Sequence, residues 1–510
     1  MAATFSTSDR DRYRPIHDHP NLCQFLLNKV GSKSIPLRIA ASTVVGAGSG
    51  LFVDENVAEG QELFRSHPLL TVRNPDIEDV CDACQKKAWR MYHKLECATL
   101  KQKPDLPVLD VALMRILNWF KLGALEPEGI TALRALEMHL DKHCRSDTEN
   151  GEGPPSALLS ALDARINTES PCSLDVIQEL CCMAAEKEAN LGTSFDYVVS
   201  LINHSCDENT HIFFEGNELR VRSVRSLKAG DEIFVCYTDA RADVLQRRDD
   251  LKKFFRIDCN CNKCKEEIKD HLKEIGSRKK PLQHLRKCQD GLKNLETKMS
   301  DIYWNLYPRA VQMIYRFEED MATLRKKAFL DGKWPAHVEP LPSCNRTLAA
   351  MYNDMRNAVA LKFYLAGTLY TRTRSGRAWV LDLFEVVRCL IRMTQHPDDS
   401  PMWTVQGFLE RDELRDVARG YLQQVCIAAK TVFGLDTKFV SALYKFANKL
   451  LDHPGDPTVG TAAFVERYHM SQFRLLDWAG IDKVSAVAVP DAQAVAVMRE
   501  DINTLTDKGE

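Results

Sequence analysis

Short apolar runs separated by turn residues occupy the first part of the chain. Between Leu37 and Val72 the sequence LRIAASTVVGAGSGLFVDENVAEGQELFRSHPLLTV breaks at residues 46–50 and again at residues 59–60, where glycine occurs. Runs of this length bounded by glycine-containing turns are typical of β-strands. The pattern therefore predicts β-structure, preceded by a mobile N-terminal segment over residues 1–35, which begins with polar residues.

A helical period follows this β-structure. Residues 100–189 place apolar side chains at intervals of three and four, as in Leu109, Leu113 and Ile116. Such spacing puts apolar groups on one face of a helix. The polar stretch at residues 147–155, DTENGEGPP, is typical of a loop. We therefore predict a helical insert in two parts.

Alternation of apolar and polar residues returns over residues 210–237. The runs THIFFEG, NELRVRSV and DEIFVCY are separated by Gly216-Asn217 and by residues 228–230, which predicts consecutive hairpin strands. Residues 241–255 then place Val244, Leu245, Leu251 and Phe255 at helical intervals, so a short helix is expected after the last strand.

The last part of the chain, residues 266–510, contains long helical patterns and no strand signature of comparable length. We predict an all-α domain of helix-turn-helix pairs, like tetratricopeptide arrays in its rhythm but without a repeated motif. The stretch from about Lys483 is rich in alanine and valine and then charged, and we expect it to be loosely attached.

Composition narrows the functional classes. Apolar residues make up 45% of the 510 residues and charged residues 27%, which is ordinary for a globular protein, and no run of about 18 apolar residues predicts a membrane span. The net charge of -3 argues against direct nucleic-acid binding. The N-terminus lacks an apolar signal core, so we expect a nuclear or cytoplasmic protein whose 17 cysteines are reduced.

Three of these cysteines lie within six residues. Cys259, Cys261 and Cys264 have a spacing suited to tetrahedral zinc, which takes thiolate ligands. A fourth ligand must come from elsewhere in the chain. The spacing alone does not choose between Cys206 and Cys236.

Several motifs in fixed order resemble one known domain. SLINHSCDEN at residues 200–209, ELRVRSVRSLKAGDEIFVCYTD at residues 218–239 and DCNCNKC at residues 258–264 resemble the SET domain and its post-SET zinc cluster. GAGSGLF at residues 46–52 and the helical last half make the chain similar to the SET and MYND domain family of lysine methyltransferases. The motifs cover residues 36–265.

The resemblance implies an α+β protein. Its SET-domain β-fold would carry a helical insert and a post-SET zinc cluster, and an all-α C-terminal domain would follow. The implied boundaries are residues 36–240 for the SET domain, split by a truncated MYND-like tract at 81–97 and by the insert at 100–189, then 241–265 for the post-SET region and 266–510 for the C-terminal domain.

The resemblance also implies the residues of the site. Tyr237 would be catalytic, Phe255 and Ile257 would line the lysine channel, and Cys206 would be the fourth zinc ligand. The residues that would bind S-adenosylmethionine are Gly46, Gly48, Gly50, Asn203, His204 and Tyr237. Family members often carry basic residues within the glycine-rich turn that contact the carboxylate of the cofactor, whereas Ala47 and Ser49 occur here.

The MYND-like tract is shorter than a complete finger. Cys81, Cys84, His93 and Cys97 form a C-x2-C-x8-H-x3-C arrangement that would hold one zinc ion; the alternative is a metal-free remnant. Two functions of different classes follow. The first is a protein-lysine N-methyltransferase acting on histone or other protein lysines, and the second is an interaction protein with a weak SET core that binds partners through its helical half.

Overall fold

The structure is a computed structural model. It describes residues 15–31, 34–73, 89, 93–103, 106, 108–121, 126–135, 192–216, 218–255, 257–276, 278–329, 334–354, 358–371, 374, 376–489 and 492–507. They form two compact units: a β-rich unit (Met1–Thr238 with Arg247–Cys264) and a helical unit (Asp239–Gln246 with Lys265–Glu510). The domain boundaries implied by the resemblance stay predictions.

Nine short strands lie in the described part of the β-rich unit. They are β1 Leu37–Ala41, β2 Ser49–Val53, β3 Glu62–Ser66, β4 Leu70–Arg73, β5 Gly192–Phe195, β6 Asn203–His204, β7 Thr210–Glu215, β8 Glu218–Ser223 and β9 Phe234–Val235. They form small sheets: β1 with β2, the order β3-β8-β7, and β4 with β5 are antiparallel, whereas β6 and β9 are parallel. The predicted β-structure before the insert is confirmed.

One predicted hairpin is wrong. The run at residues 210–215 pairs with residues 218–223 across a turn at Gly216, as expected. The third run does not continue this sheet, because β9 is only two residues long and pairs in parallel with β6. Parallel pairing joins segments that are distant in sequence, and local alternation carries no signal for it. This pairing brings Asn203 beside Phe234, and β6 carries two residues of the candidate active site, Asn203 and His204.

The core of this unit lies beneath these sheets. Its fully buried apolar residues include Leu51, Val53, Leu63 and Val221 on the strands, and Ile233 just before β9. The helices of the unit are α1 Pro20–Leu27, α2 Lys94–Gln102, α3 Val108–Lys121 and α4 Pro127–Ala135. Residues 136–191 of the predicted insert lie outside the described residues.

Helices make up the second unit. They are α5 Val244–Phe254 and α6 Asn262–Glu274, each of which begins in one unit and ends in the other, then α7 Lys279–Ala328, α8 Leu341–Asp354, α9 Val359–Leu369, α10 Gly376–Thr394, α11 Arg411–Phe433, α12 Lys438–Leu450, α13 Ala462–Ala479 and α14 Ala492–Asp507. The helical C-terminal part is confirmed.

The last helix corrects another expectation. In α14 the side chains of Val495, Met498 and Ile502 are at most 3% exposed, so this end of the chain is packed and not loosely attached. Their spacing of three and four residues forms one apolar face. The Lys430 ammonium also donates to Asp501 Oδ2 at 2.6 Å.

Candidate active site

Four cysteine sulfurs converge at the end of the β-rich unit. The Sγ atoms of Cys206, Cys259, Cys261 and Cys264 all lie within 4.8 Å of one another. Cys206 follows β6 directly, and the other three lie just before and at the beginning of α6. The geometry therefore selects Cys206 over Cys236, the choice that the spacing alone left open.

The pKa values of these thiols are shifted in different directions. Contacts with neighbouring thiols, that with Cys206 first, lower the pKa of Cys259 far below its usual range and that of Cys261 to about 6. Contact with Cys236 and then with the three cluster thiols raises the pKa of Cys206. Ionisation of all four thiols together would need a cation, because like charges oppose one another's ionisation.

Polar groups around the cluster suit thiolates. The backbone N–H of Cys264 donates to Cys261 Sγ at 3.4 Å, and His204 Nε2 lies 3.3 Å from Cys206 Sγ. Arg248 also interacts electrostatically with Cys259 and Cys264. The donor set of four sulfurs fits tetrahedral zinc, and hydrogen bonds to the ligand sulfurs would orient them toward the metal.

Two neighbouring residues of β6 face opposite ways, as alternate strand residues do. The Asn203 side-chain amide donates to Ser49 O at 3.0 Å and to Glu232 Oε1 at 2.9 Å. The His204 ring instead accepts the backbone N–H of Tyr237 at Nδ1, at 3.0 Å. The neutral ring consequently carries its proton on Nε2, beside the Cys206 sulfur. His204 thus links Tyr237 to the sulfur cluster.

The Tyr237 ring contacts the rings of His204 and Phe255. Its hydroxyl donates to the Ile202 carbonyl oxygen at 2.6 Å, and its ring centroid lies 5.0 Å from that of Phe255 and 5.2 Å from that of His204. Phe255 is buried, whereas Ile257 is half-buried, with its N–H bonded to Leu251 O at 3.1 Å. The ring contact brings Phe255 to Tyr237; the channel role of both residues stays a prediction.

The glycine-rich segment contains two different kinds of glycine. Gly46 and Gly48 have φ values of +79° and +66°, in the region that favours glycine, and they form the loop between β1 and β2. Gly50 lies within β2 and is needed for space: a Cβ there would lie 2.2 Å from Glu232 Oε1 and 3.2 Å from Asn203 Nδ2. The predicted turn therefore ends before Gly50.

Glu232 was missed by the sequence reasoning. Its carboxylate accepts from Ser42 Oγ at 2.7 Å, from the Thr43 N–H at 2.7 Å and from the Thr43 hydroxyl at 2.5 Å, in addition to Asn203. It therefore ties the start of the glycine-rich loop to β6. Its place after Lys228-Ala229-Gly230-Asp231 is typical of a solvated turn, which hid this role.

His17 was also missed. It belongs to a short 3₁₀-helix at Ile16–Asp18, and its backbone N–H donates to Ser49 Oγ at 3.2 Å, while its Nδ1 lies 3.0 Å from the same hydroxyl. Nothing in the sequence near residue 17 signals a site, because its partner is 32 residues away.

The MYND-like tract is only partly described. Cys81 and Cys84 lie outside the described residues, so their pairing with His93 and Cys97 stays a prediction. His93 packs on Trp89 with ring centroids 5.7 Å apart, and half-buried Cys97 lies on α2. Of the helices in the described residues, none is both long and apolar enough to span a membrane.

Comparison with known proteins agrees with this geometry. The sequence model of the SET domain family matches residues 48–238. Histone-lysine N-methyltransferase SMYD3 of Mus musculus is 28% identical over 306 residues, which cover 52% of this chain and 70% of that protein. The chain is thus similar to the SET and MYND domain family of protein-lysine methyltransferases. Its SET match includes Gly48, Asn203, Cys206 and Tyr237, but ends before the three-cysteine cluster.

Other relatives of the family cover less of the chain. N-lysine methyltransferase SMYD2 of Gallus gallus is 29% identical over 212 residues, covering 37% of this chain and 46% of that protein. SET domain and MYND-type zinc finger protein 6 of Schizosaccharomyces pombe is 28% identical over 224 residues, covering 42% and 43%. The solved SET domain of LSMT bound to lysine and AdoHcy covers 85% of this chain and 94% of that one at 10% identity and a TM-score of 0.33, too low to support an argument.

Proposed function

We propose that this protein transfers a methyl group from S-adenosylmethionine to lysine side chains of histones or other proteins. The observation that carries the proposal is the setting of Tyr237. Its hydroxyl is fixed on the Ile202 carbonyl, its backbone is fixed by His204, and its ring packs against Phe255. A tyrosine held at three points is suited to a reaction that depends on alignment.

The reaction needs few charged groups. S-adenosylmethionine supplies a methyl group on a cationic sulfonium, and its departure leaves a neutral thioether. The lysine must first lose a proton, and burial beside Phe255 and Tyr237 lowers an amine's pKa from about 10.4 because it disfavours the charged form. The Tyr237 hydroxyl keeps its proton, which it shares in a hydrogen bond with the Ile202 carbonyl, so its oxygen can still accept a hydrogen bond from an N–H of the amine and thereby orient the lone pair of the amine.

The glycine-rich loop and Asn203 fit the cofactor in chemical terms. The loop offers main-chain groups at Gly46 and Gly48 with no side chain in the way, since a Cβ at Gly46 would meet no atom within 4 Å. The nearby Glu232 carboxylate suits a ligand that carries positive charge. We propose Gly46, Gly48, Gly50, Asn203, His204 and Tyr237 as the residues that hold the cofactor.

The proposal extends to substrate and place. The relatives named SMYD3 are histone-lysine N-methyltransferases, and those named SMYD2 are N-lysine methyltransferases, which supports protein lysines as the substrate class. We propose a nuclear or cytoplasmic location, which suits an enzyme that acts on lysines of histones or other proteins.

The experiment has two steps. Calorimetry with S-adenosylhomocysteine first tests the cofactor site; a folded, zinc-loaded protein that binds none would contradict the proposal and favour the interaction-protein hypothesis. Transfer of tritiated methyl groups to histones and cell lysate then tests the chemistry. We expect Tyr237→Phe to lose at least about a hundredfold in turnover, with cofactor binding largely intact because the aromatic ring is kept. Tyr315→Phe, at an exposed tyrosine of α7, is the matched control.

A further inference from the structure

Glu232 is a buried carboxylate without a cationic partner among the described residues. Its side chain is 4% exposed, and the groups that contact it are the Ser42 and Thr43 hydroxyls, the Thr43 N–H and the Asn203 amide. All of these donate hydrogen bonds, as an ionised carboxylate requires, since it only accepts. None of them carries a charge.

The same unit shows the usual treatment of a buried acid. Glu96 is fully buried, and both of its oxygens accept from the Arg115 guanidinium at 2.8 Å. Buried charges in proteins are normally paired in this way because removing them from water is costly. Glu232 departs from this pattern, although the chain pairs a buried acid elsewhere in the unit.

The unpaired charge lies at the proposed cofactor site. Glu232 bonds to the first residues of the glycine-rich loop and to Asn203, and its Oε1 lies against the Cα of Gly50 so closely that no side chain fits there. The cofactor differs from its product in charge, because the donor carries a sulfonium cation and the product a neutral thioether. A fixed negative charge nearby favours the cation through Coulomb attraction.

We propose that Glu232 is the countercharge of the cofactor site and makes it prefer a sulfonium over the corresponding thioether. The inference rests on the proposed function and adds a specificity-determining residue to it. Its consequence is directional: transfer of the methyl group removes the cation that Glu232 attracts, so the product dissociates more readily than the donor.

The first test uses the unaltered protein and three ligands that share the adenosine and amino-acid parts. S-adenosylmethionine carries a sulfonium, sinefungin carries an amine cation in its place, and S-adenosylhomocysteine is neutral there. We expect calorimetry to give dissociation constants for both cations about tenfold below that of the neutral ligand. Equal binding of all three overturns the inference, whereas binding of none contradicts the proposed function itself.

The second test changes the charge. Glu232→Gln is expected to reduce the tenfold preference to nearly none, while Glu232→Asp keeps it even if both ligands bind more weakly. Glu55→Gln, at an exposed position, makes the same change in net charge and should preserve the preference. If Glu232→Gln folds and weakens both kinds of ligand equally, the residue is only structural and the inference fails; if it does not fold, the comparison of ligands in the unaltered protein decides.

Discussion

Asp416 and Asp456 in the helical unit and Glu232 in the β-rich unit are acids with buried side chains and with different kinds of partner. In the helical unit, Asp416 lies 2.9 Å from the Arg467 guanidinium, and Asp456 accepts from Arg415 Nε at 2.7 Å, with Arg419 3.7 Å away. In the β-rich unit, Glu232 is held by uncharged donors. Glu232 therefore differs both from these aspartates and from Glu96 of its own unit, which is paired with Arg115.

This difference distinguishes charges that stabilise packing from negative groups suited to bind a ligand. The arginines around Asp416 and Asp456 join α11 and α13 to the loop between α12 and α13, so the charges serve packing. The four sulfurs converge on one point, and Glu232 is contacted by uncharged donors; each arrangement suits the binding of a positively charged ligand. Mutations of the paired charges around Asp416 and Asp456 should accordingly affect stability alone, whereas mutations at the sulfur cluster and beside Glu232 should also affect ligand binding.

The sulfur cluster should show the largest effect. Cys259→Ser removes a ligand from the proposed zinc site and is expected to cost several kcal/mol of stability, because binding of a structural zinc contributes directly to folding. Metal analysis should find one zinc ion fewer per chain, and thermal unfolding should begin earlier. Cys288→Ser, at a half-buried cysteine of α7, should change neither. An unchanged metal content in Cys259→Ser would show that the four sulfurs are not a zinc site.

Breaking the paired charges is expected to be the next largest effect. Arg419 is 2% exposed and donates to the Leu451 and Pro457 carbonyl oxygens as well as facing Asp416. Arg419→Met leaves these groups unpaired and should lower the free energy of unfolding by about 3–5 kcal/mol. Arg388→Met, at an exposed site, should lower it little. Urea denaturation measures both, and S-adenosylhomocysteine binding should stay unchanged in each folded variant.

Substitutions at Gly46 and Gly50 test the proposed cofactor site in the β-rich unit. Gly50→Ala drives a methyl group into the Glu232 carboxylate, so we expect a loss of about 2–3 kcal/mol in stability and a loss of cofactor binding. Gly46→Ala meets no neighbouring atom and should cost only about 1 kcal/mol from its positive φ. Thermal unfolding and calorimetry test the pair; equal effects on binding would argue against a special role for the space at Gly50.

The smallest expected effect is the pH dependence of the stability that Asp456 contributes in the helical unit. Burial raises the pKa of Asp456, but the hydrogen bond and charge of Arg415, with Arg419 and Arg467, outweigh it, so the pKa is lowered on folding. The stabilisation is therefore present above the unfolded value of about 3.9 and is lost as the pH falls through the folded value. Asp456→Asn should cost about 1 kcal/mol at neutral pH, and urea denaturation should show this difference shrinking in acid. A constant difference would contradict the assignment.

Short-range signals in the sequence predicted part of this arrangement. The spacing of Cys259, Cys261 and Cys264 is local and identified a thiol cluster, and the motif around Asn203 placed Cys206 and Tyr237 in a known domain. Glu232 escaped because its burial depends on Ser42, 190 residues earlier. The two-residue strand β9 escaped for the same reason, since its partner β6 is remote.

The long sequence separation between Ser42 and Glu232 has a consequence for folding during synthesis. Ser42 leaves the ribosome 190 residues before the acid that fixes its loop, a delay of roughly 10–40 s at 5–20 residues/s. Cys206 is likewise synthesised 53 residues before Cys259, whose sulfur it contacts. The first strands are made long before the loop beside them can take its final form, so the nascent chain carries an unfinished cofactor site for most of that interval.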